Sequence, residues 1–276
     1  MEVLGLDLAE MSTLLVETAQ EHHLLVEVST DSVDAWATRL GVPVRRCYFA
    51  DEHLEARAAA GIDAGALAGT YVPDNPSVMS GDFGEMLAAF YLASKQAEAI
   101  DPLKWRFKND RNQSAPKSDV VRFSLPTWPA ASGEDRIECA EVKSKASRGN
   151  SKPIASALKD SATDRGGRLD KTLNWLKELA IKGELTQLTV EQLERFITPT
   201  DSVHGPYSRD FKAIAVIDAK YVATETENIP GVPDQCTLIV LSVTDLMQIY
   251  TATFTEVVTS AETHVSALGA TQGGAS

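Results

Sequence analysis

Apolar and polar positions recur along this chain at two different periods, and each change of period marks an element. Near the start, His23 to Val28 reads as a strand, Asp31 to Leu40 as a capped helix, and Val42 to Phe49 as a second strand. The turn-rich segment Thr70-Tyr71-Val72-Pro73-Asp74-Asn75-Pro76 closes this small α/β lead-in. From Phe83 the residues Phe83, Met86, Leu87, Phe90 and Tyr91 fall at i, i+3, i+4, i+7 and i+8, a helical stripe with Asp82 near its expected start. Three strand candidates follow, Leu103 to Phe107, Asp119 to Leu125 and Arg136 to Ser144. The segments between them hold Asn, Asp, Pro, Gly and Ser, which predicts an antiparallel meander.

A second helical stretch begins near Pro153, loosens at Gly166-Gly167 and resumes through Leu169, Leu173, Leu176 and Leu179. Thr189 and Gln192 have the spacing of a capping box for a short helix that ends before Pro199. Phe211 to Ala219 and Thr237 to Val243 are short, β-rich and bounded by turns, so they read as buried strands, and Asp245 to Val258 returns to helical spacing. The tail is rich in Gly, Ala and Ser and predicts fraying. The expected fold class is therefore α/β: helix, three-strand meander, helix, further strands. It divides into a lead-in over 1–75, a main domain over 76–262 and a tail over 263–276.

Composition narrows the function classes. No run of about 18 apolar residues occurs, and Glu2, Asp7 and Glu10 stand where a leader would be basic, which predicts a cytoplasmic protein with no membrane association. Cys47, Cys139 and Cys236 are far apart in apolar surroundings, as reduced core residues would be. No P-loop or dinucleotide fingerprint is present, and the isolated His204 allows no Ser-His-Asp arrangement to be drawn. The net charge of −13 argues against nucleic acid until its distribution is considered. Residues 101–182 hold 17 Lys+Arg against 11 Asp+Glu, a balance of +6, and the rest of the chain carries −19. Lys145, Lys152, Lys159, Arg165 and Arg168 supply a basic rim for phosphates, with an ordinary solvated face as the alternative.

That basic segment contains the costliest pattern in the chain. The strand-like run Arg136-Ile137-Glu138-Cys139-Ala140-Glu141-Val142-Lys143 ends in charged groups, and in a strand Glu141 and Lys143 share a face roughly 6 to 7 Å apart. Asp119 opens the preceding strand candidate, and Glu85 lies on the upstream helix. Taken alone, Glu85 has a second reading as a carboxylate near a helix N-terminus. The order Glu85, Asp119, Glu141-Val142-Lys143 resembles the PD-(D/E)xK nuclease superfamily, with Ser118 standing where the motif has proline. The stretch Gly81 to Ala93, the Lys117-Ser118-Asp119 start, the Glu141-Val142-Lys143 strand and Ser156-Ala157-Leu158-Lys159 are similar to the nuclease subunits of Hachiman anti-phage systems.

The resemblance implies a restriction-endonuclease-like core and a metal-dependent DNA nuclease, an effector of defence controlled by a helicase-like partner. In it Glu85 is the helix glutamate and an outer or second metal ligand, Asp119 binds metal, and Glu141 with Lys143 forms the E-x-K pair. Asp119, Glu141 and the Val142 carbonyl offer only oxygen, a set that suits Mg²⁺, with Mn²⁺ as the substitute. Lys143 would orient the attacking water or stabilise developing negative charge. Two other readings stay open, a stand-alone restriction or repair nuclease and a non-catalytic module whose charges form an ion-pair network.

Overall fold

The β-rich runs of the chain meet in one sheet, seen in a computed structural model that describes residues 2–29, 31–197 and 206–273. A two-residue hairpin, β1 (Glu2–Val3) and β2 (Leu6–Asp7), leads through α1 (Leu8–Thr13) into β3 (Leu15–Ala19) and β4 (Leu24–Val28). Helices α2 (Val33–Tyr48), α3 (Asp51–Ala59), α4 (Ala64–Tyr71) and α5 (Pro76–Lys95) follow. Then come β5 (Val120–Ser124), β6 (Arg136–Lys145), α6 (Pro153–Thr163), α7 (Leu169–Ile181), α8 (Val190–Ile197), β7 (Ser208–Asp218), α9 (Ala219–Thr226), β8 (Cys236–Val243) and α10 (Leu246–Gly273). The six main strands are ordered β3-β4-β8-β7-β6-β5. β4, β8, β7 and β6 run parallel, while β3 and β5 are antiparallel edges. Two strands from the first 75 residues thus lie in the same sheet as β6, giving a mixed α/β fold with helices on both faces.

Alternation along the strands sorts the core into two sides. Val120, Ala140, Val142, Ile214 and Val216 pack with α5, α2 and α10, including Phe83, Leu87, Leu40, Tyr250 and Phe254. On the opposite side Val121, Phe123, Ile137 and Cys139 meet the leucines of α7 and Phe196 of α8. Ala213, Ala215 and Val240 meet Ile154, Ala157 and Leu158 of α6 there. Because β7 and β8 are covered on both faces, they read as continuous apolar runs.

Several expectations hold and several fall. The Gly166-Gly167 break is a π turn over Asp164–Arg168 with Gly167 at φ 119, a conformation open to glycine. The capping box forms, with Thr189 N–H donating to Gln192 Oε1 at 2.9 Å and Gln192 N–H to Thr189 Oγ1 at 3.2 Å. All three cysteines are free and buried. In contrast, the strand expected over Val42 to Phe49 is the second half of α2, which continues through Pro43. There Trp36, Leu40, Val44, Cys47 and Tyr48 form one buried stripe, and that burial outweighs the hydrogen bond lost at proline.

The three-strand meander is a two-strand hairpin, because Lys104–Phe107 is a 3-10 turn that starts from Leu103 at φ 53. β6 takes the parallel β7 as its other neighbour. α10 continues helically to Gly273, with His264 Nε2 2.8 Å from Glu55 Oε1, so most of the expected tail is ordered helix. His204 and Pro199 lie outside the described residues.

Candidate metal and nucleic-acid site

The site forms where β5 ends and β6 continues. β5 begins at Val120, paired with Ala140, so the residues of β6 beyond Ala140 have lost one strand neighbour. Asp119 fills part of that gap: its Oδ2 accepts the Val142 N–H at 2.9 Å. A strand residue directs its N–H and C=O to the same edge, so the Val142 carbonyl also faces the side that Asp119 occupies. Ser118 fixes this turn from beneath. Its hydroxyl donates to Asp164 Oδ1 at 2.6 Å and lies 2.9 Å from Thr172 Oγ1, which ties the start of β5 to the π turn and α7. At the place of the motif's proline there is thus a buried hydroxyl clamp.

Glu141 is 1 % exposed and lies beneath two cations. Lys143 donates to one of its oxygens and also reaches Asp160 Oδ2 at 3.0 Å. Arg168 donates to the other oxygen while gripping Asp164 through Nε at 2.7 Å and a terminal nitrogen at 2.8 Å. Burial and then the neighbouring Asp119 push the Glu141 carboxyl up to about 8, against the pull of both cations. The Lys143 ammonium is raised in turn, since its carboxylate neighbours outweigh its burial.

Glu85 stands on the other face. It belongs to α5, which starts at Pro76 under an Asn75 cap, so Glu85 is in the helix interior and the dipole reading does not apply. α5 crosses β6 closely: a Cβ on Gly84 would come within 3.2 Å of Ser144 Cβ. Glu85 Oε2 accepts from Trp105 Nε1 at 3.1 Å and lies 3.1 Å from Lys104 Nζ. Burial pushes its carboxyl up to about 8, opposed by Lys104 and reinforced by Asp119 and Asp82. Glu85, Asp119, Val142 and Lys143 line a cleft of about 600 Å³ together with Ser80 and Ser144.

Sequence reasoning missed Lys104. Its Nζ donates to the Ser118 carbonyl at 3.0 Å and lies 3.5 Å from Asp119 Oδ1, so it bridges the two acidic residues. The available signal was a lysine in an apolar run.

The basic rim divides. Lys152 at the N-cap of α6 and Lys159 on that helix are exposed, and Arg165 is half-buried on the π turn, where it donates to Ser161 Oγ at 3.3 Å. Arg168 points inward onto Glu141 and Asp164. Lys145 leaves the rim altogether. It is buried and donates to Gly149 O and Ser151 O, each at 3.0 Å, and to Glu225 at 2.7 Å, closing the loop after β6. Strand alternation carries it to the covered side with Lys143, one pair of residues deeper. Lys117 and Lys171 join Gly167 and Arg168 around a second cleft of about 450 Å³.

The donor set is hard oxygen, and the crowding of Asp119 and Glu141 that raises protonation is what a divalent cation offsets. Two side chains and one carbonyl suit Mg²⁺, which keeps several waters. Among the described residues no three His, Cys, Asp or Glu side chains gather as one metal cluster, in keeping with Glu85 standing apart. No helix among them is long and apolar enough to cross a membrane.

No curated protein matches this chain. A family model described as HamA matches residues 10–257, which takes in the whole sheet and every residue of the carboxylate cluster. A match of that extent, over a mixed α/β fold and the motif order similar to Hachiman subunits, shows that the chain belongs to the HamA family, a component of Hachiman anti-phage defence.

Proposed function

We propose that the chain is the nuclease effector of its defence system, a Mg²⁺-dependent enzyme that hydrolyses DNA phosphodiester bonds. The observation that carries this reading is the gap beside β6, where Asp119, Val142 and Lys143 line an open cleft and Glu141 lies behind it, paired with Lys143. Asp119, Glu141 and Val142 O would hold the ion. When bound, it supplies charge neutralisation at phosphorus and a water made nucleophilic near neutral pH. Lys143, a three-proton donor with no lone pair while charged, holds the attacking water or the phosphate oxygen by donation and faces negative charge as it develops. Lys117 and Lys171 provide cations for flanking phosphates.

For this chemistry Glu141 must exchange a cation partner for the ion, since both its oxygens are engaged by Lys143 and Arg168. That saturation favours a second reading, a non-catalytic ion-pair network. It also suits a nuclease held off until needed, which accords with control by a helicase-like partner. The acidic balance of −19 outside residues 101–182 disfavours unaided DNA binding and supports delivery of substrate by such a partner. Plasmid DNA incubated with the chain and its co-expressed neighbouring gene product, with and without nucleotide, should be degraded in Mg²⁺ and spared by chelator. Intact DNA under every condition would leave the ion-pair network. Full cleavage by the isolated chain at physiological salt would remove the partner.

A further inference from the structure

We propose that Lys104 is a built-in cation occupying the position of a second metal, so that the site takes one divalent ion and Glu85 serves Lys104 instead of that ion. The inference rests on the metal-dependent reading above. Lys104 is 6 % exposed, and its ammonium donates to Ser118 O at 3.0 Å and forms ion pairs with Glu85 Oε2 at 3.1 Å and Asp119 Oδ1 at 3.5 Å. The local backbone makes this possible. In a strand Lys104 and Trp105 would point to opposite faces, whereas the 3-10 turn entered from Leu103 at φ 53 brings both donors onto the same Glu85 oxygen.

Glu85 packs on the α5 face of the sheet, while Glu141 shares the opposite face with Cys139. Asp119 faces both sides from the edge. One of its oxygens is turned to Lys104 and the other to the Val142 N–H beside Glu141. A divalent ion between Glu85 and Asp119 would have to displace a buried ammonium or sit against it, and both are costly. The side of Asp119 toward Glu141 and Val142 O also holds cations, Lys143 and Arg168, but their side chains are 31 % and 25 % exposed, so one can turn to solvent, and there a single ion is held.

The test is the number of Mn²⁺ ions bound, counted by calorimetry and by electron paramagnetic resonance on the full chain, with folding checked by circular dichroism. The parent should bind one ion. Lys104→Met, which keeps most of the stem and removes the charge, should bind two. Glu85→Gln should still bind one, with affinity within about threefold of the parent. Two ions on the parent, one ion on folded Lys104→Met, or a loss of about tenfold or more in Glu85→Gln would overturn the assignment. Should Lys104→Met fail to fold, the parent count and Glu85→Gln decide. Absence of any saturable binding by the parent is a different failure, because it removes the metal-dependent reading itself.

Discussion

Strand β6 carries two buried glutamates three residues apart, each flanked by two cations, and only one belongs to the candidate site. Glu138 sits on the α5 face with a strand on either side. Arg122 of β5 lies 3.2 Å from it and Lys212 of β7 3.3 Å. Arg122 is its register partner and spends a further donor on the Gln96 carbonyl at 2.6 Å, so this cluster is closed by its own strands and by the end of α5. Glu141 lies just past the point where β5 stops. Its cations come from its own strand and from a glycine-containing turn, and its near neighbour is another carboxylate, Asp119. Burial and ion pairing therefore do not separate a structural acid from a candidate metal ligand here. The missing strand neighbour does, because it leaves Val142 and Asp119 lining a cleft next to Glu141.

The contrast is sharpest in activity. Asp119→Ala or Glu141→Ala should lower DNA cleavage by about a thousandfold or more with the fold retained, whereas Glu138→Gln should retain activity per folded molecule. Cleavage at the parent rate by either site variant would end the distinction. Lys143→Ala should slow single-turnover cleavage by about a hundredfold while Mn²⁺ affinity changes far less. Calorimetry showing collapsed affinity with cleavage intact would reverse its role.

Stability should show the opposite ranking. Glu138→Gln removes the carboxylate charge that faces Lys212 and the buried Arg122 and should cost about 3–5 kcal/mol in urea unfolding. Glu141→Gln relieves its repulsion with Asp119 and should cost much less. Equal losses would mean that both glutamates are structural.

The last contrast is in pH. The Glu85 and Glu141 carboxyls are raised from 4.5 to about 8 in the folded, metal-free chain. Between those values the folded state holds more protons than the unfolded state, so stability should fall as pH rises from about 5 to 8 and should be flat at lower pH as far as these groups are concerned. Mn²⁺ should flatten the slope, and its affinity should rise over the same window as Glu141 loses its proton. A metal-free chain whose urea midpoint climbs across that window would contradict the sign.

The sequence by itself determined the helix of Phe83 to Tyr91, the strands at Arg136 to Ser144, Phe211 to Ala219 and Thr237 to Val243, the Gly166-Gly167 break and the Thr189 to Gln192 cap. Each depends on local periodicity or on one residue's backbone preference, information that adjacent positions carry. It also placed Glu141 and Lys143 on one strand face, since two-residue alternation is a property of the strand alone.

Tertiary structure decided the rest. Val42 to Phe49 is helix because its buried stripe packs on α10, a partner some 200 residues away in sequence. Leu103 to Phe107 alternates like a strand yet turns, and the turn brings Lys104 and Trp105 onto the same oxygen of Glu85, a residue of a separate helix. Lys145 was indistinguishable by type from the exposed lysines until Glu225 and the loop carbonyls enclosed it. Glu138 and Glu141 lie on opposite faces of β6 and differ in whether β5 lies beside them, and which strands stop where is settled by long-range pairing that no local pattern encodes.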